Sequence, residues 1–327
     1  MDVAVVVNLH ARKGSEAVGR LVRSRLPRAR VTVTRSLDDV RRWIDRELVH
    51  APPSLLLSGG GDGTAVALLN ELRDRRVDVG QLGVLRLGTG NGWANVTGAP
   101  RVQQALGRIA ALDGRSPPTR RFALVECDGR IAPFLGTGWD AEIISDFKAQ
   151  LPSGGGKGLA GYLTSVLTRT IPRHVFGDGP PQVVVTNLGA PALTVDATGR
   201  VVPLPDGEAG RVLYRGPASV AAAATTPEWG FGFRAFPFAG AAPGRVSMRV
   251  YGAPVLEATR NMFKLWRGDH PLPKMHDFLV THARMDFDRE VPFQIGGDVA
   301  ARRRSFELRL AAESVELVAW DRLAVAC

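Results

Sequence analysis

The sequence predicts an α/β protein in two parts: a parallel sheet covered by helices, then a β-rich, sandwich-like second domain. Two observations predict this fold class. Short apolar runs alternate with helix-like segments through the first 112 residues, a pattern typical of a parallel sheet. After a Pro- and Gly-containing linker at residues 113–118, most segments have strand character. The predicted domains are therefore residues 1–116 and residues 117–313.

Each element of the first domain follows from an apolar run or a helical period. Strands are predicted at residues 3–7, 31–34, 55–57 and 82–87, with helices at residues 15–26, 37–48, 65–72 and 102–112. In the second domain, strands are predicted at residues 121–126, 131–135, 182–187, 200–204, 246–250, 278–282 and 305–310, and helices at residues 159–170 and 254–266. Parallel sheets bind ligands at the carboxyl ends of their strands, so the turns that follow the first strands are the candidates for function.

Composition narrows the class of protein. The 327 residues are 45% hydrophobic and 23% charged, as in ordinary globular proteins. The net charge of +10 suggests anionic partners such as a nucleotide or an acidic membrane surface, with arginine-rich composition as the alternative explanation. No nucleic-acid-binding motif is visible, so nucleic acid is not expected. The presence of only two cysteines and the absence of a signal-peptide pattern predict a cytoplasmic protein. No transmembrane segment is expected, because the long uncharged stretch at residues 179–195 contains prolines.

A glycine-rich turn follows the third predicted strand. Gly59, Gly60, Gly61, Asp62, Gly63 and Thr64 stand between that strand and a helix. Glycine lets the backbone approach a phosphate closely, and a helix N-terminus offers unpaired N–H groups and a positive dipole end. An ordinary capped turn is the alternative. A Walker A loop is excluded, because no lysine follows the glycines at the required spacing.

Two further turns follow neighbouring strands. Gly88, Thr89, Gly90, Asn91 and Gly92 come after the fourth strand, and the loop from Asn8 to Gly14 comes after the first. Together the three turns resemble those of the diacylglycerol kinase and sphingosine kinase superfamily of lipid kinases. That family carries a Gly-Gly-Asp-Gly-Thr turn, then a Gly-Thr-x-Asn turn, and an early Asn-containing loop with a lysine at the place of Lys13.

The resemblance implies a fold, a reaction and a site. It implies a first domain like that of diacylglycerol kinases and NAD kinases, which residues 314–327 rejoin. It also implies a kinase that depends on ATP and Mg²⁺ and acts on a lipid hydroxyl at an anionic membrane surface, with peripheral membrane association. Homodimerisation stays open. The implied nucleotide-binding residues are Asn8, Lys13, Gly60, Gly61, Gly63, Thr64, Thr89 and Asn91. Asp62 is predicted to be catalytic and to contact the metal ion, and Asp140 and Lys157 to bind the substrate.

Two departures from the family pattern leave the identity of the catalytic base open. The asparagine turn continues with Gly92 where the family has Asp, and Gly296, Gly297 and Asp298 replace a late Asp-Gly-Glu whose Asp is the family's proposed base. Asp298 or Asp62 takes over that role, or activity is weakened. A non-catalytic nucleotide or lipid sensor and an NAD kinase-like enzyme therefore remain alternatives.

A helix predicted at residues 254–267 carries both apolar and basic side chains. Its apolar stripe comprises Val255, Leu256, Thr259, Met262, Phe263 and Trp266, and its basic side chains are Arg260, Lys264 and Arg267. Core packing is the favoured interpretation of such a stripe, and membrane docking is the alternative.

Overall fold

The computed structural model describes residues 1–139, 141–142, 164, 168, 179–230 and 232–323. The chain divides into two compact units. The first comprises Met1–Phe122 and Ser314–Cys327, and the second comprises Ala123–Glu313. The long strand β16, Asp298–Val318, contributes residues to both units.

The first unit contains the predicted parallel sheet. Its strands are β1 Val3–Asn8, β2 Arg30–Thr34, β3 Leu55–Gly60 and β4 Gln81–Arg86. They lie in the order β2-β1-β3-β4, all parallel, and the end of β16 adds a fifth parallel strand where Leu317 pairs with Leu82. Strands β1 and β3 are almost entirely buried apolar runs, as expected for a parallel sheet covered on both faces.

Helices follow these strands. They are α1 Glu16–Arg25, α2 Leu37–Trp43, α3 Asp62–Asp74, α4 Gly92–Val96 and α5 Val102–Ala110. Helix α1 begins after Ser15, whose hydroxyl accepts from the Val18 amide at 3.3 Å. Helix α2 begins with a capping box between Ser36 and Asp39 and continues as a π-helical turn, Ile44–Leu48. The single helix predicted at residues 37–48 is therefore two helical types in succession.

The strand order creates a switch point between β1 and β3. The chain leaves β1 toward one side of the sheet, to β2, and later enters β3 on the other side. In open α/β sheets, helices flanking such a point leave a crevice outside the carboxyl ends of the strands, and ligands bind there. The loop after β1 and the glycine turn after β3 both start at this edge.

The second unit is β-rich, as predicted. Its remaining strands are β5 Thr119–Cys127 (which begins in the first unit), β6 Arg130–Ala132, β7 Phe134–Gly138, β8 Gln182–Asn187, β9 Leu193–Val195, β10 Val201–Pro203, β11 Val212–Pro217, β12 Val220–Ala224, β13 Val246–Tyr251, β14 Met275–Val280 and β15 His282–Ile295. The pairs among β7 to β15 are antiparallel, and buried side chains such as Val185, Met248 and Phe293 form the largest core cluster of the unit.

Several boundaries differ from the predictions for physical reasons. The strand predicted at residues 131–135 is two strands, broken at Pro133, which lacks a backbone N–H for pairing. Strand β12 is buried between β7 and β13, yet it consists of one valine and four alanines and was missed, because alanine has low strand propensity. The strand predicted at residues 305–310 falls within β16, which continues into the segment predicted to rejoin the first domain. The helix predicted at residues 159–170 lies outside the described residues apart from 164 and 168.

The helix predicted at residues 254–266 is two short helices, α6 Val255–Arg260 and α7 Met262–Arg267. Its apolar stripe was predicted to pack in the core, and for three of its members, Leu256, Thr259 and Phe263, that is wrong. Leu256 is 60% exposed and Phe263 is 82% exposed. Ala258 is buried instead, and Leu265 packs against the same small cluster. None of the described helices is long and apolar enough to cross a bilayer.

Candidate nucleotide site

The glycine turn after β3 leads directly into α3. Gly59 and Gly60 are the last, fully buried residues of the strand, Gly61 is the N-cap, and Asp62 is the first residue of the helix. Gly61 has no side chain to cap the first amides. The first N–H groups of a helix have no partner within it, and a phosphate group is a natural acceptor for them.

The turns after β3 and β4 lie in backbone contact. A Cβ atom at Gly88 would lie 2.2 Å from the Cα of Gly61, and a Cβ at Gly61 would lie 3.0 Å from the Cα of Gly88. A Cβ at Gly60 would lie 2.4 Å from the side chain of Thr64. These glycines are required because the turns are packed against each other, which leaves no space for a side chain.

Asp62 joins the two turns. Its Oδ2 accepts a hydrogen bond from the amide of Gly92 at 2.8 Å, and its Oδ1 accepts from the amide of Trp93 at 3.0 Å. These amides begin helix α4, so the carboxylate serves as a cap supplied from a different part of the chain. The structure therefore gives Asp62 a bracing role that the sequence did not indicate.

Asn91 shapes the second turn from within. It adopts a left-handed conformation with φ of 55°, which asparagine tolerates better than most residues. Its Oδ1 accepts from the Gly88 amide at 3.1 Å, and its Nδ2 donates to the Gly88 carbonyl at 3.0 Å. Thr89 lies between these two residues and is half-buried.

The loop after β1 closes the site from the other side. Asn8 Nδ2 donates to Thr64 Oγ1 at 2.9 Å, and Asn8 Oδ1 accepts from the His10 amide at 2.9 Å. The backbone amide of Lys13 donates to the Leu87 carbonyl at 3.0 Å, which places Lys13 beside the end of β4. Its side chain is exposed. A Cβ at Gly14 would lie 1.9 Å from the Asn8 carbonyl oxygen, so this tight loop requires glycine there.

The first unit thus brings most of the predicted site residues together. These are Asn8, Lys13, Gly60, Gly61, Asp62, Gly63, Thr64, Thr89 and Asn91, on three neighbouring strand ends. Their predicted roles toward a nucleotide remain predictions. Gly14 and Gly88 were not predicted as site residues, and only their close backbone contacts identify them. Asp140 and Lys157 lie outside the described residues.

Asp298 belongs to the second unit, at the tip of a hairpin. Gly296 and Gly297 connect β15 to β16 with φ angles of 58° and 90°, the left-handed values of a tight two-residue hairpin turn. The Gly297 amide donates to Gln294 Oε1 at 2.9 Å. Asp298 opens β16, opposite Ile295, and is exposed.

An ion cluster around a buried glutamate fixes the far half of helix α3. Glu71 is buried, and its carboxylate accepts from Arg41 Nε at 3.1 Å and from Arg75 Nη1 at 2.7 Å. Burial by itself raises the pKa of Glu71, but the hydrogen bonds and charges of the two arginines outweigh it and hold that pKa below its usual value. Since Arg41 belongs to α2, the cluster joins the two helices and holds α3 in position behind its glycine turn.

The predicted metal contact rests on one side chain, Asp62. Among the described residues, no group of three or more His, Cys, Asp or Glu side chains could hold a metal ion. Mg²⁺ commonly takes one or two carboxylates, and phosphate oxygens and water complete its coordination. Asp62 is the carboxylate that the sequence predicts for such an ion, and that role remains a prediction.

Comparison with protein families adds a sequence-based finding. Residues 2–119 match the model of the diacylglycerol kinase catalytic domain. The resemblance to this superfamily is thereby confirmed over this part of the chain. No curated protein matches the chain in sequence.

Solved structures share the fold over almost the whole chain. A proposed diacylglycerol kinase from Bacillus anthracis str. Sterne aligns with a TM-score of 0.68 at 16% identity, covering 97% of this chain and 94% of its own. A second structure described in the same way aligns with a TM-score of 0.67 at 15% identity, covering 99% and 98%. A diacylglycerol kinase structure from the same organism has a TM-score of 0.63 at 14% identity, covering 97% and 96%. At these identities the likeness establishes the fold.

Proposed function

We propose that this protein is a lipid kinase that transfers the terminal phosphoryl group of ATP, with Mg²⁺, to a hydroxyl group of a diacylglycerol or sphingoid-type lipid. The observation that carries the proposal is the uncapped start of α3, held against the Gly88 turn where neither chain segment has room for a Cβ. Such a surface presents backbone N–H groups to phosphate oxygens.

In the transfer, the acceptor oxygen forms a bond to phosphorus while the bond from phosphorus to the leaving ADP oxygen breaks. The amides of Gly63 and Thr64 would hold phosphate oxygens, and the ammonium of Lys13 would neutralise their charge. Mg²⁺ would supply further charge on the transferring group. Asp62 accepts hydrogen bonds from two amides and would brace the turn and contact the cation. The base that would take the hydroxyl proton is assigned from the sequence pattern, to Asp298.

The first experiment separates binding from transfer. ATP binding is measured by calorimetry, and transfer of labelled phosphate is measured with a panel of diacylglycerol, sphingoid, ceramide and NAD acceptors. We expect transfer to one of the lipids. In the Lys13→Met variant, the affinity for ATP should fall about tenfold, because one charge-assisted phosphate contact is lost. Arg12→Met, an exposed cation in the same loop, is the matched control and should bind ATP as the wild type does.

The Asp62→Asn variant tests whether the Asp62 carboxylate holds the two turns together. The amide NH₂ would face one of the two backbone donors, so the turn should open, and both ATP binding and transfer should weaken. Loss of transfer with unchanged ATP affinity would show instead that Asp62 acts in the chemical step. Transfer to NAD alone would contradict the lipid kinase proposal.

A second candidate, a nucleotide or lipid sensor without turnover, is favoured by one observation. The position of the family's proposed base is Gly296, within a hairpin turn that carries no side chain. Under this alternative ATP binds and no lipid is phosphorylated. Gly296→Asp distinguishes the two, because aspartate is among the residues that tolerate this backbone conformation. Turnover that appears only in this variant would favour the sensor.

A further inference from the structure

Helices α6 and α7 present one anchored face and one exposed face. On the anchored face, Ala258 is buried in a cluster with Tyr251 and Ala253, and Leu265 packs against that cluster. The ring of Trp266 lies 5.5 Å from that of Phe233. The position of the two helices is therefore fixed by packing, and their opposite side faces solvent.

The exposed side is the docking face, which we define as Leu256, Thr259, Arg260, Phe263, Lys264 and Arg267. Within each of the two helices, intervals of three and four residues place these positions on one side. Five large hydrophobic residues are exposed in the described part of the chain, and the two most exposed, Leu256 and Phe263, both lie here. Packing within the protein does not explain why a phenylalanine and a leucine seven residues apart are both exposed. Burying such apolar side chains against a partner would be favourable, so their exposure indicates a docking surface.

The charges on this face indicate the kind of partner. Arg260, Lys264 and Arg267 are exposed on the same two helices as the two apolar side chains. The acidic groups nearby are already engaged: Glu257 pairs with Lys274 at 2.5 Å, and Asp269 pairs with Arg267 at 2.7 Å. The face therefore combines exposed apolar side chains with the positive charge of Arg260 and Lys264, which is the composition of helices that lie in the interface of an anionic bilayer.

We propose that this face docks the protein onto an anionic lipid bilayer. The phenylalanine and leucine side chains would enter the boundary between headgroups and acyl chains, and the cations would contact lipid phosphates. A second copy of the chain fits less well, because a symmetric contact would bring the cations of both copies together. The inference deepens the proposed function and rests on it, since an enzyme with a membrane lipid as acceptor has to reach the bilayer surface.

The test is sedimentation of the full chain with phosphatidylcholine vesicles, with and without phosphatidylglycerol. The wild type should bind the vesicles that contain phosphatidylglycerol, and binding should weaken as salt is raised. Replacing both Leu256 and Phe263 by alanine should lower the affinity about 10- to 100-fold, because both side chains lose apolar burial. Replacing both Arg260 and Lys264 by glutamine should lower the affinity for these vesicles about 30-fold, because each of the two cations near the bilayer surface contributes a similar share of the binding free energy.

Matched controls come from an exposed strand of the same unit. Val212→Ala removes another exposed apolar side chain, and the pair Arg211→Gln with Arg215→Gln removes the same charge as the basic pair above. These variants should bind vesicles as the wild type does. If they lose as much affinity as the docking-face variants, the attraction comes from overall charge and the proposal is wrong. Absence of wild-type binding to vesicles that contain phosphatidylglycerol also overturns it.

Two further readouts separate this proposal from its alternatives. Gel filtration of wild type and Phe263→Ala at several concentrations tests self-association; a dimer that the substitution dissolves would assign the face to a second copy and overturn the proposal. Transfer to a water-soluble short-chain diacylglycerol should be unchanged in the docking-face variants, because no bilayer is involved. Vesicle binding is scored whether or not transfer occurs, so failure of the kinase proposal is distinguishable from failure of the docking proposal.

Discussion

The two units place their polar side chains in opposite ways. In the first unit, Asp62, Asn8 and Asn91 are half-buried at strand ends and hold neighbouring turns in place. In the second unit, Arg249 and Asp277 form a cross-strand ion pair between β13 and β14, with side chains only 6% and 2% exposed. Both Asp277 oxygens accept from this arginine, at 2.6 and 3.1 Å, and a further guanidinium N–H donates to the Ala235 carbonyl at 2.8 Å.

The difference teaches what limits substitution in each unit. Around the glycine turns, space is limiting, because backbone segments touch where a ligand is expected. Inside the second unit, charge is limiting, because a buried ion without its partner is far less stable than one in water. The same kind of change should therefore affect binding in one unit and folding in the other.

The largest effect is expected from Asp277→Ala. This change leaves the guanidinium of Arg249 buried without its carboxylate, which should lower the free energy of unfolding by about 3–5 kcal/mol. Urea unfolding followed by circular dichroism measures it. Replacing both partners at once, Arg249→Met with Asp277→Leu, should recover most of the loss. Asp286→Ala, which breaks the exposed pair with Arg284, should change little. Equal losses of unfolding free energy in Asp277→Ala and Asp286→Ala would show that the buried ion pair matters no more than the exposed one.

Gly88→Ala should abolish tight nucleotide binding and leave the fold largely intact. The added methyl group would lie 2.2 Å from the Cα of Gly61, so the two turns must separate. We expect at least about a 100-fold loss of ATP affinity, equivalent to about 2.7 kcal/mol, measured by calorimetry. The matched control is Gly107→Ala in helix α5, where a Cβ meets nothing within 4 Å. It should raise stability by about 0.5–1 kcal/mol and leave ATP affinity unchanged. Wild-type affinity for ATP in the Gly88→Ala variant would show that the close contact between the two turns is not needed for nucleotide binding.

Glu71→Gln tests whether the first unit also depends on a buried charge. At neutral pH we expect a loss of about 1.5–3 kcal/mol, because the hydrogen bonds from Arg41 and Arg75 lose their ionised acceptor. The folded-state pKa of Glu71 is lowered, so its contribution is complete above the unfolded value of about 4.3 and falls away as the pH drops below it. Wild type and variant should therefore converge in acid. Glu16→Gln, on an exposed pair, is the control. A stability gap that stayed constant with pH would show that the carboxylate charge is not responsible.

The order of the first elements and the position of each glycine turn were predictable, because both depend on local signals: apolar periodicity, glycine clusters and capping residues. Where the local signal is weak, prediction failed. The alanine-rich strand β12 is a strand only because β7 and β13 pair with it on either side. The hydrophobic side chains at residues 254–267 were correctly placed on a helical segment, but sequence pattern cannot tell which side of a short helix its neighbours cover.

The sequence by itself determined the parallel sheet, the three turns at its strand ends and the resemblance to lipid kinases, because each is encoded in a short stretch of chain. Tertiary structure decided the rest. It brought Asp62 to the amides of Gly92 and Trp93, thirty residues further along. It pressed Gly61 against Gly88 and left Phe263 exposed. These facts depend on how distant segments pack, since a contact between two turns or an uncovered face is a property of their surroundings and not of either segment alone.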